Sequence, residues 1–424
     1  MKVSMFHLMP YSAMPEEPPH GPDWKTAGIW VDLPNSVYNP EIGNELYNEY
    51  LDELEYAEQV GLDGVCVNEH HANMYGTMPS PSIMLAALAR RTSKANLIVL
   101  GTSIALYNPP TRVAEEMSMI DVISGGRVVC GFPVGTSQDT NWVYGMSPST
   151  FRERYYEAED LIKKAMETRE PFHYNGKYTK LRYVSIWPRP AQEPRPPIWV
   201  PGGGSIETWD WTIEKDHVYA ALSYGGYKRA QQTLNGYWSR VREHGADETP
   251  YRAAYMQLTL VSDSYEQAKK EYQEGVEFFY QKLLGSTGRY FPEAPGYRTE
   301  ASIRAGFERS LALAQESAPQ AGRKAPQGAG PSWDQLVEEG NIVAGNPDEV
   351  AEKLVDISKS LRVGHLLPLL QIGNMRRETT MKNIKMFGEE VLPQIHDVWD
   401  DEDWEDRWSP RPLADRVTPA PVGG

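Results

Sequence analysis

NLIVLGTSIALYNPPTRVAEEMSMIDVISGGRVVCGF, residues 96–132, reads as a strand, a helix and a second strand in one line. Asn96–Thr102 is an apolar run of strand length that ends in small polar residues. Pro109 or Pro110 opens a helix that runs to Ile123, and Ser124-Gly125-Gly126 stops it. Arg127–Phe132 is apolar again. Two strands joined through a helix are the unit from which parallel sheets are built.

The same unit recurs on both sides. Val3–Met9 and Gly64–Asn68 are apolar strands. Between them Leu46, Tyr50, Leu54 and Ala57 form one face of a helix over Glu45–Val60, stopped by Gly61. Ser80 is an expected N-cap with Pro81 at the first helical position. Pro148–Thr168 is the helix after strand four. Further strands are expected at Pro197–Val200, His217–Leu222, Ala253–Val261 and His365–Gln371. Their helices are Ser205–Lys215, Gly226–Glu243, Tyr265–Leu284 and Met375–Asp397. Eight strands and eight helices in alternation predict a closed parallel barrel. The strands read as unbroken apolar runs, as expected when both faces are covered. The expected fold is therefore α/β, a single TIM (β/α)8 barrel over residues 1–397, with insertions after strands one, four and seven. Phe172–Trp187 is an extended insertion. The segment 285–340, with a possible helix at Ser302–Gln315, reads as a lid. The tail 398–424 is acidic, then Pro-rich, and reads as a poorly packed extension, with docking of Trp404 and Trp408 on a neighbour as the alternative.

Bulk properties fit one large domain. The chain has 424 residues, 40% of them hydrophobic, and a formal net charge of −16. That acidity argues against nucleic acid or an anionic membrane as the partner. Cys66 and Cys130 lie inside apolar runs and read as buried thiols rather than a disulfide, which fits a reducing, cytoplasmic setting. The N-terminal apolar stretch is too short for a signal peptide, and no segment approaches the length of a membrane span.

Four strand ends carry chemistry. Asn68-Glu69-His70-His71 follows strand two, and in a barrel the C-terminal strand ends build the active face. An exposed loop is the bland alternative. A metal site with His7 as third ligand is a further one, weakened because neighbouring residues on a strand face opposite ways. Pro201-Gly-Gly-Gly-Ser-Ile-Glu-Thr208 opens a helix, whose N-terminus suits a phosphate. Ser205 and Thr208 are one turn apart, so both hydroxyls reach one group; the alternative is a plain capped helix. Gly101-Thr102-Ser103 with Tyr107, and Gly131–Thr136 with its Val134 and Gly135, leave room for a flat ligand, though each also reads as an ordinary turn or loop. No Gly-x-Gly-x-x-Gly follows strand one, so a mononucleotide fits better than a dinucleotide.

With those pieces in this order, the chain resembles the bacterial luciferase-like family of flavin-dependent oxidoreductases. The matching segments are Glu69–His71, Leu100–Ser103, Val113–Val128, Gly131–Gly135, Gly204–Thr208 and Gly345–Val350. The resemblance implies a monooxygenase that takes reduced FMN from a separate flavin reductase. O2 adds at the flavin to give a peroxide that oxygenates a small, partly apolar organic substrate. It implies that His70 is the catalytic histidine. It implies cofactor binding by Thr102, Ser103, Val134, Gly135, Tyr155, Gly203, Gly204, Ser205 and Thr208, with a non-proline cis peptide near Ser103. Glu69, His71 and Tyr107 fall to the substrate pocket. A homodimer is expected, and no metal. F420 is the alternative cofactor, and a non-catalytic flavin-binding protein or a metal-dependent hydrolase are the rival classes. The strand-four loop lacks the cysteine and the phosphate-binding arginine of luciferase, so light emission is not expected and the phosphate needs a positive charge from elsewhere. The long loop after Met9, with Trp24, Trp30 and Tyr38, suggests a different substrate pocket.

Overall fold

The structure is a computed structural model that describes residues 1–13, 34–135, 143–284, 304, 331–400 and 408–410. Eight parallel strands close a barrel: β1 (Lys2–Phe6), β2 (Gly64–Val67), β3 (Asn96–Val99), β4 (Val128–Gly131), β7 (Ile198–Gly202), β8 (Val218–Ala221), β9 (Ala253–Val261) and β11 (His365–Leu369). Closure comes from β1 against β11, with Val3 opposite Leu366, and from β8 against β9, with Ala220 opposite Ala254. These are the eight strands that the apolar runs predict. Their alternate residues face inward and outward. Phe6, Cys66, Ile98, Val129, Trp199 and Leu367 fill the barrel, while Val3, Val65, Leu97, Val128 and Leu366 pack on the outer helices.

The helices on the site side are α1 (Pro40–Gln59), α2 (Pro81–Arg91), α3 (Thr111–Ser124), α4 (Pro148–Glu167), α5 (Ile206–Glu214) and α6 (Gly226–Glu243). Asn39 caps α1 by accepting from the Glu41 N–H at 2.8 Å. Ser80 stands at the N-cap of α2 as expected, but its hydroxyl makes no capping bond. The extended insertion after strand four is an antiparallel hairpin, β5 (Phe172–Asn175) and β6 (Lys180–Val184).

Two features depart from the sequence reading. Beyond α7 (Tyr265–Phe278), a π turn (Phe279–Leu283) and the short α8 (Trp333–Glu338), a ninth strand, β10 (Ile342–Gly345), pairs with the far half of β9, Ile342 opposite Leu258. β11 holds one edge of β9, so β10 takes the edge that β8 leaves. It stays outside the ring and feeds α9 (Pro347–Leu361), which opens on the reciprocal Asn346–Glu349 capping box. The closing helix, α10 (Arg377–Met386), passes through a π turn into α11 (Leu392–Ile395). The second departure is in the tail. Residues 408–410 are packed: the Trp199 indole donates to the Trp408 carbonyl at 3.0 Å, and Trp408 stacks on His365 at 5.8 Å. The reading of a loose tail is corrected there, because Trp199 and His365 expose aromatic surface at the bottom of the barrel that a second tryptophan covers. Trp24, Trp30, Trp404, Thr136 and the expected lid apart from residues 304 and 331–340, which include α8, lie outside the described residues. No helix among the described residues is long and apolar enough to cross a membrane.

Candidate active site

The residues after β2 are not an exposed loop. Asn68, Glu69 and His71 are buried and His70 is half-buried. Extended backbone puts residues two apart on one side. Glu69 and His71 accordingly meet, Oε1 to Nε2 at 2.9 Å, and His70 faces the other way. The other Glu69 oxygen accepts from the Ser103 N–H at 3.0 Å and the Tyr107 hydroxyl at 3.4 Å. A buried carboxylate is tolerable only with such partners. Burial and the Glu69 charge push the phenols of Tyr107 and Tyr144 up, so both stay protonated, and Tyr107 is the one that donates to Glu69. Tyr144 lies edge-on to His71 at 5.3 Å.

The metal alternative finds no support in the His7 geometry. Its Nδ1 accepts from the Met9 N–H at 2.9 Å, which leaves the proton on Nε2 for Glu53 at 2.8 Å. Both nitrogens are committed. Among the described residues there is no group of three His, Cys, Asp or Glu placed to hold an ion.

The ends of β3 and β4 touch. A cis peptide joins Leu100 and Gly101, at the place the resemblance indicates. A Cβ on Gly131 would lie 1.8 Å from the Val99 carbonyl, so only glycine permits this crossing. Thr102 donates its N–H to the Gly131 carbonyl at 2.8 Å. Its hydroxyl is buried with no partner, and so is the amide oxygen of Asn68 on the neighbouring strand. Orphaned polar atoms at adjacent strand ends fit a flat heterocycle with its own donors and acceptors. Val134 is buried beside Gly135, which takes φ +82° against Phe151. Tyr155 is fully buried behind this loop and donates its hydroxyl to the Phe132 carbonyl at 3.0 Å, so it shapes the loop from behind.

The glycine-rich turn after β7 is built as a cradle. Gly204 takes φ +100°, which favours glycine. A Cβ on Gly203 would meet nothing within 4 Å, so the backbone borders open space there. Ser205 caps α5, and its Oγ lies 2.7 Å from the Thr208 Oγ. The two hydroxyls therefore converge as the spacing predicts. A positive charge reaches this cradle from Arg152, on the second turn of α4. Its Nη1 donates to the Thr208 Oγ and its Nη2 to the Ser205 Oγ, both at 3.2 Å. Sequence reading passed over Arg152, although it sits three residues before Tyr155 at the start of the helix that follows the strand-four loop. Two hydroxyls, a helix N-terminus and a guanidinium around open backbone are the groups that could hold a phosphate.

Comparison with known proteins gives the family and the fold. The profile described as luciferase-like monooxygenase matches residues 28–363. A flavin-dependent trigonelline monooxygenase, oxygenase component, from Acinetobacter baylyi is 30% identical over 236 residues, 55% of this chain and 64% of that one. An F420-dependent glucose-6-phosphate dehydrogenase from Amycolatopsis mediterranei is 30% identical over 167 residues, 37% of this chain and 48% of that one. The chain thus spans about half to two thirds of the length of these curated relatives. The oxygenating constituent of 3,6-diketocamphane monooxygenase from Pseudomonas putida, solved with FMN, superposes with a TM-score of 0.67 at 17% identity. That superposition covers 93% of this chain and 98% of the other, and it shows the shared closed barrel. The chain belongs to the luciferase-like monooxygenase family.

Proposed function

We propose that the chain is the oxygenating component of a two-component system: it takes reduced FMN from a separate flavin reductase and uses O2 to oxygenate a small, partly apolar organic substrate. The observation that carries this reading is the convergence of Arg152, Ser205 and Thr208 at the C-terminal face of the barrel. Reduced FMN, when bound, supplies the electrons that activate O2. Arg152, Ser205 and Thr208 hold its phosphate, and Gly203 and Gly204 give the backbone room to approach it. Asn68 and Thr102 present their orphaned atoms to its ring, and Ser103, Val134 and Gly135 border the ring. His70 holds and moves a proton at a ring nitrogen next to the reacting centre. Glu69, His71 and Tyr107 line the substrate side. The segment 285–340 is the proposed cover that keeps water out.

F420 carries a phosphate too, and an F420-dependent relative makes it the second reading. A reductase-coupled assay under 18O2, run over a panel of small organic compounds, decides between them. Incorporation of 18O that requires FMN and the reductase is the expected result. Hydride transfer to or from F420 without O2 consumption refutes it, and absence of either activity across the panel leaves a flavin-binding protein.

A further inference from the structure

The wall opposite the Glu69–His71 pair is made of aromatic rings. His70 rests on Tyr75, with centroids 4.6 Å apart and planes at 81°. The Tyr75 and Tyr224 hydroxyls hydrogen-bond to each other. Tyr224 follows β8 and is itself fixed, because its carbonyl accepts from the Tyr280 hydroxyl at 2.9 Å and from Asn341 Nδ2 at 2.8 Å. Phe279, in the π turn after α7, lies 6.2 Å from Tyr75 and 5.3 Å from Tyr224. A chain of contacts therefore runs from the β2 loop to three elements across the barrel mouth.

Two features separate this chain from ordinary core packing. An apolar core needs no phenols, yet Tyr75 and Tyr224 aim their only polar atoms at each other, which fixes both rings about their axes. Burial also pushes the Tyr224 phenol up, so it stays protonated and keeps the hydrogen bond. An imidazole joined to its backbone by two rotatable bonds needs such a stop if one nitrogen is to face a fixed point. The His70 backbone is anchored separately, its N–H donating to the Met78 carbonyl at 3.2 Å.

We propose that Tyr75, pinned by Tyr224, is the positioning residue that sets the ring of His70 toward the cofactor. This rests on the role given to His70 above, and the test separates the two. The full chain is used, first without cofactor and then loaded with photoreduced FMN. In the cofactor-free protein, the imidazole signal lost in His70→Ala identifies His70 by nitrogen-15 NMR. Tyr75→Leu is expected to give that signal faster side-chain relaxation, and Tyr75→Phe, which keeps the ring contact but loses the hydrogen bond to Tyr224, loosens it to a lesser degree. An edge-to-face contact biases a ring's orientation by a factor of roughly 2 to 10. With photoreduced FMN bound and air admitted, the rate of hydrogen peroxide release in Tyr75→Leu should change by that factor, and its pH profile should follow that of His70→Ala. Tyr75→Phe, which keeps the ring contact and loses the pin, should fall between the parent and Tyr75→Leu on the same scale.

If His70→Ala releases peroxide like the parent, the role of His70 fails and the positioning with it. If His70→Ala changes and Tyr75→Leu leaves both readouts unchanged, the positioning alone fails. If Tyr75→Leu lowers Tm and FMN affinity while the His70 signal stays ordered, Tyr75 is structural and the proposal is overturned. Should Tyr75→Leu not fold, Tyr224→Phe removes only the pinning hydroxyl. It must then loosen the His70 signal, and an unchanged signal overturns the proposal.

Discussion

Removing the Arg152 guanidinium is the sharpest perturbation of the cradle. Arg152 spans Ser205 and Thr208 with one nitrogen each, at 3.2 Å, and touches the Tyr156 hydroxyl at 3.5 Å. A hydrogen bond to a charged group contributes about 1.5–3 kcal/mol, and a phosphate offers acceptors to both ends of the fork. Arg152→Ala should therefore weaken reduced FMN by roughly 10- to 150-fold in Kd. Arg152→Lys keeps the charge but cannot span two acceptors, so it should fall between, about tenfold weaker. Added salt should narrow the gap between parent and Arg152→Ala, because the lost term is electrostatic. The assay is an anaerobic fluorescence titration at two ionic strengths, with Tm followed in parallel. The helix keeps its buried face, Phe151, Tyr155 and Leu161, so Tm should move by no more than a few degrees. A Kd within twofold of the parent, with the fold intact, refutes the assignment of Arg152 to the phosphate.

Three further expectations follow from other parts of the molecule. His70→Ala should leave reduced FMN binding within about threefold of the parent and cut the product formed per flavin oxidised, measured by oxygen-electrode and product assays; unchanged coupling refutes its role. Burial among Trp199, Tyr251 and Trp408 pushes the His365 imidazole down to about 3, so it is neutral in the fold and takes up a proton on unfolding below its ordinary value. The stability this contributes is complete above pH ~6.5 and is lost as pH falls toward 3, about 2 kcal/mol between pH ~7 and ~5; His365→Gln should flatten that part of the Tm-against-pH curve, and an unchanged slope contradicts it. Ile83 on α2 and Met119, Val122 and Ile123 on the adjacent α3 are exposed apolar side chains, and the expected homodimer is proposed to cover them. Ile83→Glu with Met119→Glu should then give a monomer by light scattering while FMN binding is kept, and an unchanged mass places the interface elsewhere.

What could be read in the sequence was what local physics determines. The barrel strands are covered on both faces, so each appears as an unbroken apolar run, and Gly125 ends α3 at φ +74° as Ser-Gly-Gly suggests. Ser205 and Thr208 were legible because three residues at a helix start place two side chains together whatever surrounds them. Arg152 was not, because its role depends on where α4 crosses the start of α5, a tertiary fact. The run Ile342–Gly345 is four residues long, and only the length of β9 beyond β8 gives it a partner. A hint was present in Asn346-Pro-Asp-Glu349, a helix-start pattern directly behind an apolar run. The orphaned atoms of Asn68 and Thr102 are likewise invisible in sequence, since only burial makes them unpartnered. At Trp408 the docked alternative holds over the loose tail, and the acidic, Pro-rich composition does not decide between them because it says nothing of the aromatic surface under the barrel.

The central claim is that this barrel grips a single phosphate of a flavin through Arg152, Ser205 and Thr208. It is tested most directly by parallel anaerobic titrations with photoreduced FMN and photoreduced riboflavin, which share the ring and differ in the phosphate. The account predicts that FMN binds tighter by roughly 100-fold or more, as expected for two charge-assisted contacts and two hydroxyl contacts. It also predicts that Arg152→Ala cuts this preference by roughly 10- to 150-fold, with Ser205 and Thr208 keeping the remainder. Equal affinity for FMN and riboflavin in the parent protein would contradict it.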